Sequence, residues 1–178
     1  MKVVVAGELP FVEDVTGLCV AAGHETHTFL VEDFLGAIES GYLMENSSDV
    51  EVVIELHNES AAAKNELLLA LSDSVPYKAL ILTSALATST TQAASWVPRP
   101  ERVVGFGLMP PIGPEGLVEI APGLQTAESS MKRAAEFWQG LHYEAIRVAD
   151  GPGLVRGRII CCLINEAVSA LMEGVANA

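Results

Sequence analysis

Positive charge is scarce in this chain: ten Lys and Arg stand against 23 Asp and Glu, for a formal net charge of -13. The imbalance is steepest at the start, where residues 1–60 hold twelve acids and a single cation, Lys2. Such a surface repels phosphate backbones, anionic lipid and polyphosphate ligands, which argues against nucleic-acid binding. Cysteine is scarce too. Cys19, Cys161 and Cys162 supply neither a disulfide framework nor a spaced metal motif, so the sequence predicts reduced thiols buried as small hydrophobes. No apolar run is long enough to span a bilayer, and the short, charged N-terminus lacks a signal-peptide pattern. The expectation is a cytoplasmic protein that does not meet a membrane. Internal repeats and low-complexity linkers are absent as well.

What is present is a large apolar fraction, 50% of 178 residues, enough for one domain with a sizeable core. The stretch that organises it is Lys2–Gly23. Lys2 to Ala6 is nearly all Val and reads as a strand buried on both faces, ended by Gly7; a helix-length segment then runs to Ala22-Gly23. In a dinucleotide-binding turn, G-x-G-x-x-G, the glycines permit a tight turn, close approach of the pyrophosphate and close packing of helix on strand. Here those positions are Gly7, Leu9 and Val12, and the two bulky side chains are expected to fill the room the phosphates need. Pro10 suits the first helical position. Glu8, Glu13 and Asp14 stabilise the positive end of an empty helix but repel a diphosphate.

Further along, His24–Val31 alternates as a second strand. Glu32 and Asp33 read either as the first turn of a helix over Glu32–Ser40, the favoured reading, or as the acid that holds an adenine ribose. Gly41–Ser48 is a polar turn and Val50–Leu56 a third strand. Near its end Glu55 could face a crevice at the carboxyl edge of a sheet, or be an exposed strand-end acid. Asn58 is expected to cap a helix over Glu59–Leu71, with Leu67, Leu68 and Leu71 on one face and Lys64 on the other. Lys78–Thr83 is a fourth strand. Ser84–Gln92 suits a hydroxyl-lined ligand loop or a plain helix cap at Thr88–Thr91. No histidine stands beside Ser84 to activate it as a nucleophile. Thr126–Gly140 is an amphipathic helix, His142–Ala149 the last strand, and Trp96 and Trp138 core or interface aromatics.

The run RPERVVGFGLMPPIGPEGLVEIAPGLQTAESS, followed by DGPGLVRGRIICCLINEAVSALMEGVA, resembles the 3-hydroxyacyl-CoA dehydrogenase family, with its R-P-E-R-V-I-G-x-H-F-F-N-P, L-V-E-I, G-x-Q-T and I-N-E-A-x-x-L-x-E-G-V-A patterns. Upstream, Val52–Leu67 resembles the family's V-I-E-x-x-x-E-x-x-x-x-K and places Glu55 and Lys64, with Gly7, on cofactor-side positions. The resemblance implies an α/β fold: a Rossmann-like, doubly wound, mainly parallel sheet of seven or eight strands, antiparallel near its C-terminal edge, with a C-terminal helix. It divides the chain into a Rossmann-like domain, 1–153, and a helix, 154–178, read as the remnant of a dimerisation domain. That helix carries Ile160, Leu163, Ile164, Ala167 and Leu171 on one side, so a homodimer through it is expected.

The reaction the resemblance implies moves hydride to a nicotinamide while an imidazole, oriented by a carboxylate, removes the hydroxyl proton. The carboxylate of L-V-E is kept as Glu119. The histidine position is Gly107, the motif's Asn falls on Pro110, and the Asn of P-G-F-x-x-N-R falls on Gly157. The hydroxyl motif N-T-S-S-L meets Ser84 only with a one-residue shift. Residues that shape turns and core are kept while those that carry chemistry are replaced, as in a fold retained for another purpose. The expectation is a non-catalytic binding or assembly protein with no cofactor, or NAD if any. The competing expectations are weak or altered NAD-linked oxidoreductase chemistry using Glu119, Ser84 and His142, and a sensor of an acyl-CoA-like small molecule.

Overall fold

The computed structural model describes residues 1–31, 33, 34, 36 and 48–175. The expected helix over Glu32–Ser40 and turn over Gly41–Ser48 fall almost wholly outside them. In chain order the elements are β1 (Lys2–Gly7), α1 (Phe11–Ala21), β2 (Glu25–Leu30), β3 (Val52–Leu56), α2 (Ala61–Ser74), β4 (Leu80–Ser84), α3 (Thr90–Ser95), β5 (Val103–Gly107), β6 (Gly116–Pro122), α4 (Glu128–Gly140), β7 (Tyr143–Arg147) and α5 (Arg156–Met172). The strands form one seven-stranded sheet in the order β2-β1-β3-β4-β5-β6-β7. The first five run parallel, β5 and β6 pair antiparallel, and β6 and β7 are parallel to each other.

The continuous apolar runs of β1, β3 and β4 are explained by two cores, one on each face of the sheet. Successive strand residues point to opposite sides, so a strand covered on both faces needs apolar residues at every position. Val3, Val5, Val52, Ile54 and Leu82 pack with Val12, Val15 and Cys19 of α1 and with Met131, Ala134, Phe137 and Trp138 of α4. Val4, Ala6, Val53 and Ile81 pack on the other side with Leu67, Leu68 and Leu71 of α2 and Ala93 and Ala94 of α3. Trp138 is fully buried, as expected, and sits against Phe106, Phe137 and Tyr143.

Two close approaches fix the sheet. A Cβ on Gly7 would lie 2.6 Å from the Leu56 carbonyl carbon, and one on Gly105 would collide with the Thr90 hydroxyl. Arg102, buried just before β5, donates to the carbonyls of Ser72 and Pro76 and to the Ser72 hydroxyl, satisfying the C-terminal end of α2.

Several expectations are corrected here. Ser60, not Asn58, caps α2, its hydroxyl accepting from the Ala63 amide, and Ser89 caps α3. Cys19 is buried, and burial pushes its thiol up to about 12, which leaves it unreactive. Cys161 and Cys162, by contrast, are exposed. They lie on α5, which the sequence led one to place on a core or against a partner. Of these two, packing on its own sheet is overturned: α5 stands off the domain, with Ile159, Leu163, Ile164 and Met172 all more than half exposed. Its base alone is embedded, through Leu154 and Gly157.

Candidate functional site

Ligands of open α/β sheets bind outside the carboxyl ends of the strands, so those ends of β1, β3, β4 and β5 define the region to inspect. Antiparallel β6 contributes by register, Glu119 lying opposite Gly107. Of the residues singled out from the sequence, Gly7, Glu55, Lys64, Ser84 and Glu119 lie along this edge, in two groups, while His142 is exposed just before β7.

The first group surrounds Glu55, the penultimate residue of β3. Its carboxylate is fully buried and accepts from the Lys64 ammonium at 2.5 Å, the Thr83 hydroxyl at 2.6 Å and the His57 amide at 2.6 Å. Lys64 also donates to the His57 carbonyl at 2.9 Å. Lys64 therefore faces the sheet with Leu67, Leu68 and Leu71, not the solvent as expected. Every charge here is paired and hydrogen-bonded, the only way a buried ion pair is tolerated. At 0% and 1% exposure, Glu55 and Lys64 present no atom to a ligand in this state.

Above this pair, a polar bridge crosses from the β1 turn to the β3 turn. Glu8 Oε1 accepts from the Asn58 amide at 3.0 Å, and Glu8 Oε2 lies 3.0 Å from His57 Nδ1. His57 Nε2 accepts from the Ser60 amide, while Asn58 Oδ1 accepts from the Ser84 hydroxyl at 2.7 Å. Ser84 is thus a buried tether of Asn58. Leu9, expected to fill the crevice, points outward at 54% exposure, and Val12 is in the core. Glu8 spans the gap instead. Three amides in the first turn of α1 are likewise engaged, Val12 with the Glu8 carbonyl and Glu13 and Asp14 with that of Pro10. Pro10, the N-cap rather than the first helical residue, supplies none.

The second group surrounds Glu119. Its carboxylate accepts from the Arg156 amide at 3.1 Å and the Val155 amide at 3.3 Å. It therefore caps α5, which has no capping side chain of its own. A Cβ on Gly107 would lie 3.6 Å from Glu119 Oε2 but 2.9 Å from Leu154 Cδ1. The space beside Gly107 holds Leu154, whose backbone is left-handed at φ 49. The base of α5 is tied down further by Asp150, which accepts from the Thr90 and Thr91 amides at 2.7 and 2.9 Å. Burial pushes Asp150 up, but the hydrogen bonds from Thr91 and Thr90 outweigh it and hold the carboxyl below its ordinary value.

His57 of this edge escaped sequence reading, and Asn58 and Glu8 were read in other roles, as a helix cap and as a helix-end acid. The readable signal was position, since two polar residues directly after a buried strand must stand at the crevice. No spacing rule links Glu8 to a turn 50 residues away.

Sheet order and helix placement define a Rossmann-type α/β domain. The family description "3-hydroxyacyl-CoA dehydrogenase, NAD binding domain" matches residues 20–151. The chain belongs to that family. The match begins near the end of α1, beyond the Gly7 turn. Among relatives, the chain is similar to a probable 3-hydroxybutyryl-CoA dehydrogenase of Bacillus subtilis, 30% identical over 147 residues, covering 83% of this chain and 51% of that protein. It is similar to the 3-hydroxybutyryl-CoA dehydrogenase of Clostridioides difficile at 27% identity, covering 82% of this chain and 52% of the other. The chain thus spans about half the length of these relatives. Its fold is like that of the crystal structure of (S)-3-hydroxybutyryl-CoA dehydrogenase from Ralstonia eutropha, with a TM-score of 0.82 at 21% identity over 99% of this chain and 73% of that one.

Proposed function

We propose that this chain is a non-catalytic member of its family, a binding or assembly protein that uses neither NAD nor hydride transfer. One observation carries this reading: Glu119, the one acid–base residue kept at the catalytic positions, has its carboxylate on the Val155 and Arg156 amides, with Leu154 standing beside Gly107. Proton transfer by a positioned side chain contributes on the order of 10²- to 10⁴-fold to rate, and no imidazole stands here to provide it. The residues on the cofactor side do not fit a dinucleotide. The diphosphate would need free amides at the start of α1, where Val12, Glu13 and Asp14 already have backbone partners and Glu8 adds a carboxylate. The exposed α5 supports a second copy as partner. Arg158 near its start and Glu166 and Glu173 toward its end are exposed, so two copies packed antiparallel would bring opposite charges together as they cover Ile159, Leu163 and Ile164.

The test is a turnover assay with NAD and 3-hydroxybutyryl-CoA on the wild type and Glu119→Gln. No NADH above the enzyme-free rate is expected from either. Turnover by the wild type that Glu119→Gln abolishes would overturn the reading. It would favour residual NAD-linked dehydrogenase activity, a second reading supported by the intact Glu55–Lys64 pair at the cofactor-side positions.

A further inference from the structure

The bridge between the β1 and β3 turns has an unusual internal mismatch. His57 is 7% exposed, and its Nε2 accepts from the Ser60 amide. That acceptance fixes the neutral tautomer with the proton on Nδ1, the nitrogen 3.0 Å from Glu8 Oε2. Yet neither Nδ1 nor Oε2 has a well-aligned hydrogen bond, and Asn58 Nδ2, also buried, has no partner. Glu8 reaches this place from the turn after β1, with one oxygen accepting from the Asn58 amide while the other lies near the imidazole without an aligned hydrogen bond. The place itself is favourable to negative charge, lying at the N-terminal end of α2, a helix of 14 residues.

We propose that the Asn58 amide and the His57 Nδ1–H form a binding notch for a small carboxylate, and that Glu8 is its built-in occupant. When Glu8 swings out, a free carboxylate of formate or acetate size takes the same two donors with both oxygens aligned. Ser84 holds Asn58 in position through Oδ1. The notch admits one carboxylate group and not a dinucleotide, so the proposal rests on the reading that the crevice is free of NAD. The chemical class is a monocarboxylate, or a carboxylate-bearing end of a larger molecule.

Chemical rescue tests it. Glu8→Ala removes the occupant and leaves the donors. Its thermal midpoint is expected to fall by about 3 to 8 °C, the loss of a partly buried charged hydrogen bond in a domain this size. Millimolar formate should restore at least half of that loss with saturation, whereas chloride at equal ionic strength and pH should not. The wild type and Glu8→Gln, where the side chain at position 8 competes for the same donors, should respond far more weakly than Glu8→Ala, and adding His57→Ala to Glu8→Ala should abolish the rescue. Equal responses to formate and chloride, or an equal response in the wild type, would overturn the proposal. If Glu8→Ala is too unstable to scan, Glu8→Ser is used, and formate must shift the Asn58 amide resonance saturably. No shift would count against the notch. NAD binding by the wild type would sink the functional reading instead, so the two failures are told apart.

Discussion

In the body of the sheet, Val3, Val5, Ile54 and Leu82 meet α1 and α4, and Val4, Val53 and Ile81 meet α2 and α3, with no polar side chain needed. At the ends of the same strands, Glu8, Glu55, His57, Ser84 and Glu119 are knit into hydrogen bonds with one another and with nearby backbone amides. The body depends on shape and the edge on pairing. The edge of such a sheet can change while its packing is untouched, because the two depend on different atoms.

The comparison breaks most severely where the edge reaches into the body. Lys64→Met leaves Glu55 buried without its cation, and a buried charge stripped of its partner costs about 3–5 kcal/mol. Urea denaturation should show that loss, and Glu55→Met placed beside Lys64→Met should recover most of it. An equally destabilised pair variant would mean the ion pair stabilises the fold outright. Gly105→Ala tests the body by shape alone. The new methyl collides with the Thr90 hydroxyl and should cost about 1–3 kcal/mol. Thr90→Ala should relieve much of that cost, which a double-mutant cycle measures.

A smaller effect is expected from pH. The Asp150 carboxyl is held below its ordinary value in the folded chain. The unfolded chain therefore binds the proton more readily, and the contribution of Asp150 is present above the usual carboxylate range and lost as pH falls through the folded value. Asp150→Asn should cost about 1 kcal/mol at neutral pH and flatten the acid limb of stability against pH. An unchanged acid limb would remove Asp150 as the tie between α5 and α3.

Much of the body was legible in the sequence because its signal is local. The Val-rich β1 and the buried β3 and β4 follow from runs within a few residues, and the antiparallel step near the C-terminal edge from the family resemblance. Lys64 was legible too and was misread: positions 64, 67, 68 and 71 share one helical face, and only its charge suggested solvent. The edge was less readable. Glu55, Lys64, Ser84 and Glu119 could be placed there by motif, but their partners are separated along the chain, as Glu8 is from Asn58 and Glu119 from Arg156. The exposure of Cys161 and Cys162 was hidden for the same reason, since the pattern of α5 shows an apolar stripe and not what lies against it.

The most direct measurement is a calorimetric titration of the purified chain with NAD and NADH. If pairing at the edge has replaced ligand chemistry, no saturable heat appears up to millimolar cofactor, while denaturation remains cooperative. Saturable binding in the micromolar range, with protection of the Glu8–Asn58 bridge region from exchange, would contradict that account.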